Sequence, residues 1–181
     1  MRGFYWLIEG ALAGCPRPGG GQRDTRRDAG RDQEPHFPES PANADDATAA
    51  ALDADLAWLR TQGIGALLSL TETSLPEASL ARHGLESLHL PVDDLTAPSP
   101  EQLDQALAFI DHGRARDRAV VVHCKVGEGR TGTVLAAYLI RAGRTVDQAL
   151  ADVRALRPGA VGVVAQEQAL RAFARRRDWI V

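Results

Sequence analysis

The sequence predicts an α/β fold, in which a central and mostly parallel sheet carries helices on both faces. Short apolar runs alternate along the chain with stretches of helical spacing, and this alternation is typical of such a sheet. The runs lie at Ala66 to Leu70, Leu85 to Leu90 and Ala119 to His123. A chain of 181 residues with 44% apolar content can bury one good core and is short for two. We therefore expect a single domain over residues 1–181.

Two short strands are expected first, at Phe4 to Ile8 and Ala11 to Ala13. The second overlaps Leu12 to Cys15, which also matches a lipoprotein cleavage box. Glu9 interrupts the apolar stretch before that box, so we favour the strand over a signal peptide. Residues from about 17 to 48 are rich in Gly, Pro, Arg and Asp and poor in apolar side chains. This composition predicts a long mobile insertion.

The helices are predicted from apolar residues at helical spacing, such as Leu52, Leu56 and Leu59 in the first of them. We expect helices at Ala47 to Gln62, Glu101 to about Arg114, Thr131 to Ala142, Val146 to Leu156 and Ala165 to Arg176. The loop after the strand that ends at His123 would then lie at the carboxyl edge of the sheet, where open α/β sheets bind ligands.

Composition and charge exclude several classes of function. A net charge of −3 and an aromatic content of 5% offer no basis for nucleic-acid binding. No apolar run approaches the roughly 18 residues of a membrane span, so no membrane partner is expected. Two cysteines do not make a disulfide framework, and a catalytic thiolate favours a reducing compartment. We therefore expect a cytoplasmic protein; its oligomeric state is left open.

The most informative stretch is residues 123–133, His-Cys-Lys-Val-Gly-Glu-Gly-Arg-Thr-Gly-Thr. It follows an apolar strand and precedes a helix, so Cys124 ends the strand and Arg130 begins the helix. An ordinary thiol has a pKa of about 8.5 and attacks only as the thiolate. Inward backbone N–H groups of a glycine-rich loop, with the positive end of the helix, can stabilise that anion.

The same loop can hold a phosphate. Its amides would bind phosphoryl oxygens, and Arg130 could form a two-pronged contact to two of them. Gly127 and Gly129 permit backbone angles that would strain other residues. We expect His123 to order the loop through a backbone hydrogen bond and the Thr131 hydroxyl to donate to the sulfur. The predicted phosphate-binding residues are Lys125, Val126, Gly127, Glu128, Gly129 and Arg130.

This stretch resembles the Cys-x5-Arg signature of the protein tyrosine phosphatase superfamily in its dual-specificity form, His-Cys-x-x-Gly-x-Gly-Arg-Thr-Gly. Further segments, residues 6–14, 63–72, 98–102 and 157–159, are similar to those of small atypical dual-specificity phosphatases. The resemblance covers the chain except about residues 17–48. It implies a cysteine-phosphatase fold and hydrolysis through a cysteinyl-phosphate, with no metal or cofactor. Rhodanese-type sulfurtransferases also cradle anions with a cysteine loop, but they do not explain the acid described next.

A phosphatase of this kind needs a proton donor for the leaving oxygen, on a segment that closes over the site. The candidate segment runs from Leu90 to Pro100 and contains two adjacent carboxylates. In the family, an aspartate precedes a run ending in Pro-x-Pro-x-Gln, and alignment on residues 98–102 assigns that position to Asp94. Asp93 remains the alternative.

The family resemblance also implies a role for Gln166. A comparable Arg-Pro-Gly turn, here residues 157–159, leads to a glutamine that positions the hydrolytic water. Gly162 and Val163 depart from the residues usual between them. Protein phosphotyrosine is the first predicted substrate, with phosphoserine and phosphothreonine left open. A lipid, sugar or nucleotide phosphate is second, because the negative charge of Glu128 disfavours polyanionic head groups. A phosphate-binding module with weak catalysis is the third alternative.

Overall fold

The computed structural model describes residues 1–20 and 41–176, and for residues 41–47 it describes the backbone alone. Within these ranges the chain forms five strands, all of which belong to one sheet. The strands are β1 (Tyr5–Ile8), β2 (Leu12–Cys15), β3 (Ile64–Ser69), β4 (Glu86–His89) and β5 (Ala119–His123).

The strand order in the sheet is β1-β2-β5-β3-β4. Only the pairing of β1 with β2 is antiparallel, while β2, β5, β3 and β4 run parallel to one another. This topology confirms the predicted, mostly parallel sheet. It also brings the carboxyl ends of four strands to one edge, with the end of β5 at His123 in the middle of the sheet.

Helices cover both faces of this sheet. Alternate residues of a strand point to opposite faces, so Val122 packs in a core with α3 to α6, while Val121 packs in a second core with α1 and α2. The helices are α1 (Pro41–Thr61), α2 (Glu77–Arg82), α3 (Pro100–Arg114), α4 (Gly129–Arg141), α5 (Val146–Leu156) and α6 (Val164–Arg175). Among the described residues, no helix is long and apolar enough to cross a bilayer.

Helix α2 was not predicted from the sequence. It has six residues, its one buried side chain is Leu80, and Pro76 at its N-cap makes no side-chain hydrogen bond to it. One buried residue cannot produce a periodic apolar pattern, so the helix depends on packing against the sheet.

The bounds predicted for the insertion, about 17 and 48, are wrong at both ends. Helix α1 already begins at Pro41. At the other end, the Arg17 guanidinium donates to the Thr71 hydroxyl at 2.7 Å and to the carbonyls of Thr73 and Ser74 at 2.8 and 3.1 Å. These contacts tie the segment after β2 to the segment after β3. Residues 21–40 lie outside the described residues.

Candidate active site

The candidate site lies at the carboxyl edge of the sheet, around the loop that joins β5 to α4. We call residues 124–130 the signature loop and residues 90–99 the acid loop. The acid loop follows β4 and is held at its far end by a reciprocal capping box between Ser99 and Gln102. Gln102 also donates from Nε2 to the Pro91 carbonyl at 2.7 Å. Helix α3 therefore anchors the acid loop at both ends.

The carbonyl groups of the signature loop are bonded to groups outside it. His123 Nδ1 lies 3.3 Å from the Cys124 carbonyl oxygen. Four further carbonyls accept hydrogen bonds, each from a different segment: Lys125 from Arg17 N at 3.2 Å, Val126 from Arg157 Nη2 at 3.0 Å, Gly127 from the Tyr5 hydroxyl at 3.0 Å, and Glu128 from Gly132 N at 2.8 Å.

This arrangement turns the N–H groups of the loop inward. No cis peptide bond occurs in the described chain, and in a trans peptide the N–H points opposite to the carbonyl of the preceding residue. Within residues 1–20 and 41–176, none of the N–H groups of residues 125–129 donates a recorded hydrogen bond. Helix α4 begins at Gly129, and its N-cap, Glu128, supplies no side-chain cap. Free amides at a helix N-terminus form an anion-binding site.

Two glycines make the close packing of this loop possible. Gly127 has a φ of +75°, and a Cβ built on it would lie 2.6 Å from the carbonyl carbon of Cys15. A Cβ on Gly129 would lie 2.8 Å from Nε2 of Gln166. A side chain at position 127 would therefore push the loop off the backbone after strand β2, and one at position 129 would displace the Gln166 amide.

The two cysteines are both free and buried, but they differ in surroundings. Cys124 packs in the core with α3 to α6, whereas Cys15 packs in the core on the opposite face of the sheet. Cys15 is the register partner of His123 in the neighbouring strand. Burial raises the pKa of the Cys15 thiol well above its ordinary value.

Arg130 is 2% exposed and its guanidinium faces the acid loop. Nη1 donates to the Val92 carbonyl at 2.6 Å and lies 3.1 Å from Glu72 Oε1. Nη2 donates to Asp94 Oδ1 at 3.0 Å. The buried cation is thus balanced by two half-exposed carboxylates. A hydrogen bond to its own backbone N–H, with a smaller contribution from Arg130, lowers the pKa of Glu72.

The structure separates the two candidate acids. Asp94 contacts Arg130, and its Oδ2 lies 3.8 Å from Lys125 Nζ, so the carboxylate faces the signature loop. Asp93 contributes its backbone carbonyl to a turn that ends at Thr96, and no hydrogen bond or ion pair of its side chain is recorded in the described chain. The geometry supports Asp94 as the proton donor, and that role stays a prediction.

Replacing Asp94 with asparagine tests this assignment. We expect kcat to fall about 100-fold for phenyl phosphate, a substrate with a poor leaving group, and far less for p-nitrophenyl phosphate, since general acid catalysis contributes roughly 10²- to 10⁴-fold. Steady-state rates on both substrates measure this. Asp93→Asn is the matched control, and a larger loss in that variant would transfer the role to Asp93.

His123 directly precedes the signature loop and Thr131 directly follows it, and both are buried. The contact of His123 with the Cys124 carbonyl agrees with the predicted ordering role. Thr131 differs from the expectation, because its hydroxyl is buried without a hydrogen-bond partner in the described chain and does not donate to the sulfur. Helix α4 begins two residues earlier than predicted, so Thr131 is its third residue and not its first. Thr133, the fifth residue of the helix, instead donates its hydroxyl to the Gly129 carbonyl.

Burial lowers the pKa of His123 to about 3. The unfolded chain therefore binds a proton near pH 6.5 that the folded chain does not bind until about pH 3. The folding stability that depends on a neutral His123 is therefore fully present above pH 6.5 and is lost as the pH falls toward 3. We expect the advantage of the wild type over His123→Asn in unfolding free energy to shrink from pH 7 to pH 4, measured by urea denaturation. Parallel curves for the two proteins would contradict the buried neutral imidazole.

Gln166 joins the two loops, although it comes from helix α6. It is 1% exposed, and Nε2 donates to the Thr96 carbonyl of the acid loop at 2.9 Å. Its Oε1 is buried and has no hydrogen-bond partner in the part of the chain described. The turn before it is braced by Arg154, which donates to the carbonyls of Ala160 and Val161. This position fits the predicted role, which remains a prediction.

Four residues of the site were not predicted to have a role: Tyr5, Arg17, Glu72 and Arg157. Three of them donate to carbonyls of the signature loop and the fourth pairs with Arg130. Burial is the main reason that the pKa of the Tyr5 hydroxyl is raised, so it stays protonated and keeps its donor. Two of them lie in segments that carry the family resemblance, Glu72 at the end of residues 63–72 and Arg157 at the start of the Arg-Pro-Gly turn, but neither segment indicated a role for them.

Comparisons with known proteins agree with this geometry. A family model described as "Tc-R-P: Polymorphic toxin system, DSP-PTPase phosphatase" matches residues 43–144. The phosphatidylglycerophosphate phosphatase PTPMT2 of Arabidopsis thaliana is 32% identical over 126 residues, which cover 67% of this chain and 55% of the relative. The dual specificity protein phosphatase 12 of Rattus norvegicus is 32% identical over 105 residues, covering 57% and 31% of the two chains.

The crystal structure of Tk-PTP in the active form is also similar, with a TM-score of 0.65 and 34% identity over 68% of this chain and 86% of that one. The chain spans about half the length of the plant relative and a third of the rat relative. The family model nevertheless covers more than half of the present chain, including the whole signature loop. The chain therefore belongs to the DSP-PTPase family, the small atypical dual-specificity type of the protein tyrosine phosphatase superfamily.

Proposed function

We propose that the chain is a metal-independent, cysteine-based hydrolase of phosphomonoesters. One observation carries the proposal: the carbonyls of residues 125–127 accept hydrogen bonds from three distant segments, which turns the amides that lead into helix α4 inward beside a buried cysteine. These inward amides of residues 125–129, which we call the nest, would stabilise a thiolate in the free protein and phosphoryl oxygens in the complex. Preorganised donors of this kind supply a large share of transition-state stabilisation.

The proposed reaction has two steps. Cys124 attacks phosphorus in line, the bond to the leaving oxygen breaks, and Asp94 protonates that oxygen. Water then attacks the cysteinyl phosphate, with Asp94 as base and Gln166 orienting the water, and inorganic phosphate is released. A phosphate dianion in the nest would compete with the Asp94 carboxylate for Arg130 Nη2. Binding of substrate would thereby free Asp94 for proton transfer.

Protein phosphotyrosine is the first proposed substrate, in line with the similarity to dual specificity protein phosphatase 12. The Glu128 carboxylate disfavours polyanionic substrates less than the sequence suggested, because its Oε1 lies 3.0 Å from Arg157 Nη2, which compensates its charge.

A lipid phosphomonoester is the second candidate, and a specific observation favours it. In the described chain, the exposed large apolar side chains are Leu95, Val126, Leu156 and Val164. Leu95 is in the acid loop, Val126 is in the signature loop, Leu156 directly precedes Arg157, and Val164 lies two residues before Gln166. An apolar rim around an anion site suits a phosphate that is presented by an apolar group. PTPMT2 is named as a phosphatidylglycerophosphate phosphatase.

Phosphate release from a substrate panel tests both the proposed hydrolase activity and the proposed order of substrates. The panel contains p-nitrophenyl phosphate, a phosphotyrosine peptide and phosphatidylglycerophosphate in mixed micelles, each with and without orthovanadate. We expect vanadate-sensitive turnover of the aryl phosphate, and a higher kcat/KM on the peptide than on the lipid. Preference for the lipid would select the second candidate, and a lack of turnover on every substrate would leave the phosphate-binding module.

A further inference from the structure

Arg157 reaches the signature loop from a separate part of the chain. It follows the last residue of α5 and begins the turn that leads to α6. Its Nη2 donates to the Val126 carbonyl at 3.0 Å and lies 3.0 Å from Glu128 Oε1. One guanidinium nitrogen thus contacts both the backbone and the only acidic side chain of residues 124–130.

The contact with Val126 has a direct consequence for the nest. The carbonyl of Val126 and the N–H of Gly127 belong to one trans peptide, so a donor that holds the carbonyl outward also holds that N–H inward. Tyr5 acts in the same way on the next peptide through the Gly127 carbonyl. Arg157 therefore fixes the orientation of one of the amides that would bind the phosphate.

The contact with Glu128 has an electrostatic consequence. A carboxylate within the loop disfavours both a thiolate and a phosphate dianion, because like charges repel. The paired Arg157 offsets this charge where the two side chains are only 24% and 36% exposed, so solvent screens them incompletely. Other titratable or charged groups around the cysteine are Tyr5, Cys15, His123, Lys125, Arg130, Glu72 and Asp94.

We infer that Arg157 is a positioning residue. It neutralises Glu128, and by holding the Val126 carbonyl it directs the N–H of Gly127 into the nest. Glu128 is then tolerated in the loop only because Arg157 is present. This inference rests on the proposed function, since it assigns Arg157 a task in the same anion site.

A charge-removal series tests the inference. The variants are Arg157→Met, Glu128→Gln and the double variant, and the readouts are kcat/KM on p-nitrophenyl phosphate and the pH at which iodoacetamide alkylation of Cys124 is half-maximal. For Arg157→Met we expect kcat/KM to fall about 10- to 100-fold, the range for loss of a charge-assisted hydrogen bond. We also expect the alkylation midpoint to rise. Adding Glu128→Gln should return the midpoint to the wild-type value and recover part of kcat/KM.

Arg154→Met is the matched control, because Arg154 braces the same turn without a recorded contact to the signature loop. It should leave the alkylation midpoint unchanged, and thermal melting shows whether each variant is folded. The inference is overturned if the double variant matches Arg157→Met in its midpoint, or if Arg154→Met moves the midpoint as far. Alkylation needs no turnover, so a wild type that hydrolyses no phosphate would refute the proposed function while the midpoints still test Arg157.

Discussion

Replacing Cys124 with serine is expected to lower turnover of an aryl phosphate by about 10⁴-fold or more, because no other group in the nest can act as nucleophile. A serine hydroxyl is far more weakly acidic than a thiol, so the inward amides that stabilise a thiolate do not ionise it. Initial rates at saturating p-nitrophenyl phosphate measure the loss.

Binding should survive this change. The loop amides are oriented by the hydrogen bonds to the neighbouring carbonyls, and the Arg130 guanidinium is held by the Val92 carbonyl and Asp94, so neither depends on the sulfur for its position. A phosphotyrosine peptide should therefore bind Cys124→Ser with an affinity comparable to the wild-type KM, measured by calorimetry. Cys15→Ser makes the same chemical change on the neighbouring strand, and we expect it to cost stability and to retain most of the activity. Turnover by Cys124→Ser near the wild-type rate would reject the nucleophile.

Replacing Arg130 with lysine is expected to lower kcat/KM by about 10³-fold, comparable to the loss of a key oxyanion donor. The planar guanidinium can donate to the Val92 carbonyl on one side while its other nitrogen, now on Asp94, turns to a phosphate. An ammonium group is a point charge on a flexible stem and cannot serve both directions. Steady-state kinetics on p-nitrophenyl phosphate test this.

Arg130→Met separates charge from geometry. It leaves Glu72 and Asp94 without the cation that now lies 3.1 and 3.0 Å from them, and it leaves the Val92 carbonyl without the donor it has here. We expect a clear drop in Tm for methionine and a smaller one for lysine, while both variants lose activity. If lysine retained wild-type kcat/KM, the need for a guanidinium that bonds the Val92 carbonyl and the phosphate at once would be wrong.

Local sequence patterns were enough to predict many of the strands and helices of this protein. The strand from Ala119 to His123 and the helix from Val146 to Leu156 agree with the predicted bounds, because each is a strong apolar pattern with clear ends. The signature loop was predictable for a similar reason, since all of its chemistry lies within eleven consecutive residues. Helix α2 and the early start of α1 were missed, because short or weakly patterned helices depend on packing partners that a local window does not contain.

Only the tertiary structure decided how the loop is held. Tyr5, Arg17 and Arg157 are up to about 150 residues apart in the chain, yet their donors engage three successive carbonyls of one loop. Asp94 was distinguished from Asp93 in the same way, by which carboxylate lies beside Arg130. The sequence by itself determined which groups could do chemistry, because reactivity belongs to residue types at short spacing. Their orientation depended on hydrogen bonds between distant segments, and those form only once the sheet has brought its strand ends to one edge.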